Sequence, residues 1–299
     1  MSSIDVSPPA SPFEPRPAPA TSADAVSSAA PPSSTTGITS AKPMPVEFPL
    51  TSFASTPHNV ACIAFLLGAC WSLGLALFAA NASSWFLWSG TALQELARLP
   101  ERSLVQVVSG SPQLGIYLAS WAFFHLLEFV VTSMYNPGKL SVSSYLLDNG
   151  NMYHVAHVAG ILEHILEEAF LPAHYRRWKH AGGVFVLGLA VTEAGQVLRS
   201  FAMISASSNF SHLKRPGHRL VKEGIYSWSR HPSYAGFYWW AIGTQIMLGN
   251  PVCAIGFLAT LQWFFAARIK IEERLLVKFF GQEYEDYRRK VPSRILFVP

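Results

Sequence analysis

Charged residues are scarce in this sequence of 299 residues: Asp, Glu, Lys and Arg make up 13% of it, while 50% of the residues are hydrophobic. Soluble domains usually carry about 25% charged residues. The mean hydropathy is positive, at +0.25. The composition therefore argues against a wholly water-exposed protein and indicates that part of the chain lies in lipid.

Cysteine is also rare, and Cys62, Cys70 and Cys253 all lie in apolar segments. Their spacing fits neither a disulfide framework nor a zinc knuckle. No G-x-G-x-x-G fingerprint is present, so a Rossmann cofactor domain is not predicted. Residues 1–45 lack the hydrophobic run of a secretory signal. Residues 1–50, rich in Pro, Ser and Ala, are predicted to be a disordered tail before a membrane domain at 51–299.

Six hydrophobic runs are long enough to be helices, which predicts an all-α, polytopic transmembrane bundle. They lie near 59–80, 113–134, 152–171, 182–203, 233–248 and 252–270. The stretch 84–108 leaves room for a seventh or eighth span. Only Gly249-Asn250-Pro251 separates the last two runs, so these must form an antiparallel hairpin whose two ends emerge on one side.

Basic residues concentrate at 214–230 and 268–294, beside hydrophobic segments. This distribution is typical of anchors at a membrane surface and not of nucleic-acid binding, so no nucleic-acid partner is expected. Both regions are predicted to face the cytosol, because basic loops tend to stay there. The basic loop 172–181 argues against this topology, since six spans would place it in the lumen.

Ionisable residues inside predicted spans are candidate functional residues, because charge in a bilayer is costly. They are His125, Glu128, Glu163, Glu167, Glu168, Glu193 and Arg199, with the polar Gln196 among them. Each can instead serve as an interhelical hydrogen-bonding group or reach toward a helix end.

A narrow face of the third predicted helix carries His154, His157, His164 and Glu168. Imidazoles and a carboxylate at such spacing can bind zinc or iron. This favours, as an alternative, a metal-dependent membrane hydroxylase or hydrolase. No H-E-x-x-H motif completes a coordination sphere, so a packed histidine stripe is the preferred interpretation and no metal is predicted.

The carboxyl-terminal third holds the densest cluster of polar and aromatic residues. Tyr226, Arg230, His231 and Tyr234 fall where a polar loop enters a predicted span, and Pro232 suits the first turn of that helix. Further on, a basic and an acidic residue lie one helical turn apart, at 268 and 272. They can form an ordinary salt bridge, or they can bind an anionic substrate and a zwitterionic ligand.

These motifs resemble the isoprenylcysteine carboxyl methyltransferases. The matching residues are the run 230–239 (Arg-His-Pro-Ser-Tyr-Ala-Gly-Phe-Tyr-Trp), Gly243-Thr-Gln, Asn250-Pro251, Arg268-x-x-x-Glu272-Glu273 and Phe279-Phe280-Gly281-x-Glu283-Tyr284. Upstream, Glu128 with Asn136-Pro137, Glu193 with Arg199, and Ser208-Asn209-Phe210 with His212 look like the same family. The resemblance covers roughly 115–299.

The resemblance implies an enzyme of the endoplasmic reticulum membrane, with its active site facing the cytosol. Such enzymes use S-adenosylmethionine to methylate the terminal carboxylate of prenylated, CaaX-processed proteins. The cofactor-binding part would be 205–299, with contacts from His218, Arg219, Leu220, Val221, Tyr226, His231, Pro232, Ser233, Tyr234 and Glu272. Arg268 and Arg199 would be catalytic and substrate-binding, with Glu193 also at the substrate. Membrane lipid would be a further partner.

Methyl transfer to a carboxylate needs no general base, because a carboxyl group with a pKa of about 3.5 is already ionised at neutral pH. Three other classes stay open on the sequence alone. They are the metal-dependent hydroxylase or hydrolase, a non-catalytic membrane scaffold, and a phospholipid methyltransferase, whose chemistry is the nearest to the favoured one.

Overall fold

The computed structural model describes residues 55–86, 103–172, 179–180, 182–209 and 219–298, with only the backbone described for 82–86. The predicted disordered tail and most of the stretch that could hold an extra span lie outside these residues. So do Arg176 and Arg177 of the basic loop and His218 of the predicted cofactor set. The described residues belong to one compact unit, 47–299.

Within the described ranges the chain is helical apart from turns, short 3-10 segments and one isolated bridge between Ile295 and Val298. This confirms the all-α prediction. The helices are α1 Pro57–Phe86, α2 Leu104–Gly110, α3 Pro112–Tyr135, α4 Asn151–Phe170, α5 Gly182–Ala206, α6 Ile225–Trp228, α7 Pro232–Leu248, α8 Pro251–Phe280 and α9 Gln282–Lys290. Proline occupies the first turn of α3, α7 and α8, where its missing N–H costs nothing.

All six predicted helices are present, as α1, α3, α4, α5, α7 and α8. Within the described residues, four are long and apolar enough to cross a membrane: Pro57–Asn81, Pro112–Tyr135, Gly182–Asn209 and Pro251–Phe280. The other two fall short for different reasons. α7 has only 17 residues, and α4 carries Glu163, Glu167 and Glu168. Length and composition therefore support four of the six predicted spans.

The predicted hairpin of α7 and α8 is confirmed, with only Gly249 and Asn250 between the helices. Gly249 adopts φ 67° and ψ 40°, the left-handed conformation that glycine favours at a helix end. The Glu163 carboxylate of α4 accepts hydrogen bonds from the backbone N–H groups of Val252 and Cys253, at 2.8 and 2.6 Å. These bonds cap the start of α8 and fix the hairpin tip to α4.

The closest helix packing joins α5 to α7. A Cβ atom on Gly195 would lie 2.4 Å from the backbone N of Trp240, and one on Gly188 would lie 2.2 Å from that of Met247. From the other side, a Cβ on Gly236 would meet the backbone N of Arg199 at 2.6 Å. The two backbones therefore touch directly, as small residues allow in membrane helices.

The histidine stripe of α4 connects this helix to its neighbours. His157 Nδ1 shares a hydrogen bond of 2.6 Å with Tyr117 OH, and His164 Nδ1 donates to the Leu248 carbonyl at 3.0 Å. His154 Nε2 donates to the Leu147 carbonyl at 2.9 Å. Among the described residues, no three His, Cys, Asp or Glu side chains converge as a metal site. The packing interpretation thus accounts for the stripe.

The end of the basic loop lies beside the end of α4. Lys179 is buried and pairs with Glu167 at 2.5 Å, and His180 Nε2 lies 3.0 Å from a carboxylate oxygen of Glu168. A lysine neutralised within the protein is not a charge at the membrane surface. Lys179 therefore does not count against a six-span topology that places the loop 172–181 in the lumen.

Candidate active site

A cavity of about 350 Å³ opens where the end of α5, the start of α7 and the end of α8 meet. This volume lies in the range of small-molecule sites. Its lining residues are Lys139, Ala206, Asn209, Arg219, Leu220, Val221, Tyr226, Arg230, His231, Pro232, Ser233, Tyr234, Glu272, Leu276, Phe280, Tyr284 and Tyr287. The cavity lies at the end of the bundle opposite the Gly249-Asn250 turn.

The predicted cofactor residues fall together in this cavity. Arg219, Leu220, Val221, Tyr226, His231, Pro232, Ser233, Tyr234 and Glu272 all line it, and only His218 is outside the described part of the chain. They come from three segments: the loop residues 219–221, residues 226–234 from α6 to the start of α7, and α8. Their binding role stays a prediction, whereas their convergence is a structural fact.

Several lining residues were missed by the sequence analysis, notably Lys139, Leu276 and Tyr287. Tyr287 follows Tyr284 by three residues on the polar helix α9, so the two rings share a face. The spacing of this aromatic pair was the sequence signal that could have identified Tyr287 as a lining residue. No comparable signal marks Lys139, which reaches the cavity from the short 3-10 turn after α3.

Tyr226, Tyr284 and Tyr287 of the cavity carry neutral phenol groups. Burial raises the pKa of Tyr226, Tyr284 and Tyr287 above the ordinary value for a phenol. Tyr287 OH donates to the Tyr226 carbonyl at 2.6 Å, and Tyr226 OH donates to the Ala202 carbonyl at 3.3 Å. These bonds connect α9 to α6 and α6 to α5 around the cavity.

Tyr234 connects the two charges of α8 that the sequence singled out. Its hydroxyl donates to Glu272 Oε2 at 2.5 Å and accepts from Arg268 Nε at 3.4 Å. Glu272 lines the cavity, whereas Arg268 is half-buried beside it and outside the lining set. The geometry thus places the acidic group on the cavity wall and the basic group one helical turn deeper.

A second carboxylate, Glu273, holds the cavity wall together. It accepts from Arg230 Nε at 2.5 Å, lies 3.1 Å from His231 Nε2, and lies 3.7 Å from Arg288 Nη1. Arg230 also donates to the Val291 carbonyl at 2.7 Å. The sequence analysis gave Glu273 no role of its own, because its partners lie on other elements.

Arg199 lies directly behind the cavity. Its guanidinium forms a two-pronged pair with Glu128 of α3, at 2.6 and 2.8 Å, and donates to Ser233 of the cavity wall at 3.2 and 3.3 Å. It also stacks near the rings of Phe124 and Phe237, at 5.4 and 5.5 Å. The guanidinium of Arg199, which was expected to contact substrate, is therefore already engaged with protein groups.

Glu193 is not brought to the cavity. It is exposed on α5 and hydrogen-bonds Ser120 of α3. Six residues separate it from Arg199, which corresponds to about 9 Å along the helix and a different face. Glu193 therefore lies outside the cavity lining, and its role at the substrate stays a prediction.

The fold and the cavity define a class: a helical membrane protein with a cavity lined by polar and aromatic residues at one end of its bundle. The model of the isoprenylcysteine carboxyl methyltransferase family matches residues 186–278, from α5 into α8. The protein-S-isoprenylcysteine O-methyltransferase of Saccharomyces cerevisiae is 43% identical over 191 residues, which cover 62% of this chain and 80% of the yeast protein.

Two further comparisons agree. The enzyme of the same name from Xenopus laevis is 41% identical over 188 residues, 62% of this chain and 64% of the frog protein. A solved structure of a eukaryotic intramembrane Ras methyltransferase, isoprenylcysteine carboxyl methyltransferase, superposes with a TM-score of 0.61 at 29% identity, covering 81% of this chain and 98% of that one. The chain belongs to the isoprenylcysteine carboxyl methyltransferase family.

The role of Glu273 can be tested by removing its carboxylate. Glu273→Ala leaves the buried Arg230 and His231 without their shared partner, so we expect a loss of roughly 3–5 kcal/mol in unfolding free energy. The control is Glu283→Ala, which breaks the exposed pair with Lys222 and should cost about 0–1 kcal/mol. Thermal unfolding in detergent measures both. Equal shifts in the two variants would contradict the assignment.

Proposed function

We propose that the chain methylates the carboxylate of a carboxyl-terminal prenylcysteine, in CaaX-processed proteins, with S-adenosylmethionine as methyl donor. The observation that carries this proposal is the convergence of the predicted cofactor residues on one cavity, with Glu272 on its wall. We further propose that the enzyme resides in the endoplasmic reticulum membrane and that the cavity faces the cytosol.

The cavity has the groups that this methyl donor requires. Glu272 supplies an acid for the amino-acid ammonium group, and Leu220, Val221 and Tyr226 supply apolar and aromatic surface for the adenosine. When bound, the cofactor would provide an electrophilic methyl group on a sulfonium. The volume of about 350 Å³ suits a ligand of this size.

The residues of the chain act by orientation and by exclusion of water. The substrate carboxylate is ionised at neutral pH, so no residue is needed to remove a proton from it. Arg268 would hold that carboxylate through its planar fork while leaving one oxygen able to attack. Tyr234, in contact with both Arg268 and Glu272, would fix the relative positions of the two binding groups.

Arg199 then takes a supporting role in this proposal. Its pairing with Glu128 and its bonds to Ser233 anchor the start of α7, from which Tyr234 projects. Because the guanidinium and its partners are buried, they keep this geometry without exchange with water. Substrate contact by Arg199 would require it to release Glu128, which would leave a buried carboxylate without its countercharge.

A substrate assay tests the reaction. The purified enzyme should transfer labelled methyl from S-adenosylmethionine to a farnesylcysteine and not to phosphatidylethanolamine. S-adenosylhomocysteine should raise its unfolding temperature, because a ligand that binds the native state stabilises it. Label in phosphatidylethanolamine would instead support the phospholipid methyltransferase alternative. Activity that depends on added zinc or iron would support the metal-dependent hydroxylase or hydrolase instead.

Substitutions of Arg268 and of Glu272 on α8 should impair the enzyme in different ways. Arg268→Ala should lower single-turnover methylation by about 100-fold or more, since orientation is lost, while S-adenosylhomocysteine still binds. Glu272→Gln should weaken cofactor binding first, by about 10-fold or more, because a charged hydrogen bond is removed. Arg268→Lys should rescue only in part, since an ammonium lacks the planar fork. Calorimetry and rapid quench provide the two measurements.

The matched control for these variants is Arg289→Ala, on the exposed surface of α9. It should leave both the rate and the cofactor affinity unchanged. Small and equal losses in Arg268→Ala and Glu272→Gln would reduce the pair to a salt bridge and remove Arg268 from the substrate site.

The orientation of the cavity can be tested by labelling single cysteines in sealed microsomes, after Cys62, Cys70 and Cys253 are replaced by alanine. Glu223→Cys and Lys290→Cys lie on exposed positions at the cavity end, and Gln106→Cys is exposed at the other end. An impermeant maleimide added outside should label the first two and spare the third. The reverse pattern would place the cavity in the lumen.

A further inference from the structure

The end of α8 nearest the cavity carries a line of exposed cations on its outer side. Lys270, Arg274 and Lys278 recur every four residues and therefore lie along one face. We refer to these three residues as the cation ladder. Glu272 and Leu276, on the other side of the same turns, line the cavity. One segment of helix thus presents two faces with different surroundings.

The face that bears the cation ladder is apolar deeper in the helix. Val252 is 71% exposed and Trp263 is 75% exposed. At 100° per residue, Val252 points in the same direction as Lys270, and Trp263 lies within about 20° of Arg274. Val252 and Lys270 are about 27 Å apart along the axis, close to the roughly 30 Å thickness of a hydrocarbon core. The change from apolar to basic therefore coincides with the edge of the bilayer.

An apolar stripe runs beside the cation ladder. Ile271, Leu275 and Phe279 are 49%, 51% and 43% exposed and follow the same four-residue spacing. Adjacent basic and apolar stripes on one helical segment are the pattern of a surface that lies in a membrane interface. In water, three such side chains in a row would be an unfavourable surface.

The acidic side chains near the cation ladder are the next feature of this surface. In the described part of the chain, none of its three side chains forms an ion pair, whereas the nearby Lys222 and Arg289 each pair with a carboxylate. The charges of the cation ladder are thus directed outward. The complementary partner is an anion presented at the level of the bilayer surface.

We propose that the cation ladder binds the headgroups of anionic phospholipids in the leaflet that borders the cavity. The phosphates would lie against Lys270, Arg274 and Lys278, with the apolar stripe beside them in the membrane interface. The acyl chains would continue over the exposed apolar face of α8 that includes Trp263 and Val252. Each cation close to an anionic surface adds to the attraction, and the sum falls with salt. This inference concerns a site separate from the cavity and does not depend on the reaction proposed above.

The test compares lipid retention by the purified full-length chain, titrated in detergent with phosphatidylserine or phosphatidylcholine and read by native mass spectrometry. The wild-type chain should retain phosphatidylserine in preference. Lys270→Gln with Lys278→Gln should weaken phosphatidylserine retention by about 10-fold or more and leave phosphatidylcholine unchanged. Lys270→Arg with Lys278→Arg, which keeps the charge, should retain the preference and shows that any loss is electrostatic.

The matched control is Arg289→Gln with Lys290→Gln, which removes the same net charge from α9. It should behave as the wild type. An equal loss in this control would mean that retention follows net charge alone and would overturn the site. Unchanged retention in the lysine-to-glutamine variant would do the same. So would binding of an acidic peptide without any preference among lipids, which would indicate a protein partner.

Discussion

The direct contact of the α5 and α7 backbones determines where the rest of the bundle can place its polar groups. Lipid offers helices no hydrophobic reason to associate, so packing of small residues and buried polar contacts must hold them together. Gly195 and Gly236 let the two axes approach until a Cβ would overlap backbone atoms. Only at that separation does Arg199 reach Ser233 on α7 while it pairs with Glu128 on α3.

The two adjacent carboxylates of α8 show how one helix divides structural and ligand-binding tasks. Glu272 and Glu273 are rotated by about 100° from each other. Glu273 turns toward Arg230 and His231 and is satisfied by protein cations, whereas Glu272 faces the cavity and bonds Tyr234. Because Glu273 neutralises Arg230, Glu272 on the cavity wall is left to pair with a ligand's charge in the proposed reaction.

Hydrophobic runs and their breakers were sufficient to predict the six helices and the α7–α8 hairpin, because these depend on local sequence. The cavity residues came from family resemblance, since nothing in spacing alone brings 219–221 to Glu272. The pairing of Arg199 with Glu128, across 71 positions, could not be read from one sequence. One sequence also could not show that this pairing engages the Arg199 guanidinium, which was predicted to contact substrate.

The alternatives at Glu272 and in the histidine stripe illustrate the same limit. Reading along a single helix suggested an i,i+4 pair and a metal face, because only residues of the same helix were compared. The structure supplies partners from other elements: Tyr234 for Glu272, and Tyr117 and Leu248 for His157 and His164.

The length of α8 explains why the cavity lies at the end of the bundle and not in its middle. A helix of 30 residues extends about 45 Å, which exceeds a hydrocarbon core of about 30 Å. Glu272 lies about 32 Å from the start of α8, just past the apolar part. The proposed reaction joins a water-soluble methyl donor to a carboxylate whose prenyl chain stays in lipid. The methyl donor and the prenylated carboxylate can meet only at the boundary between water and lipid. There, Tyr234 and Arg268 lie on the lipid side of Glu272, so the carboxylate can shed part of its hydration before the donor's methyl is presented to it.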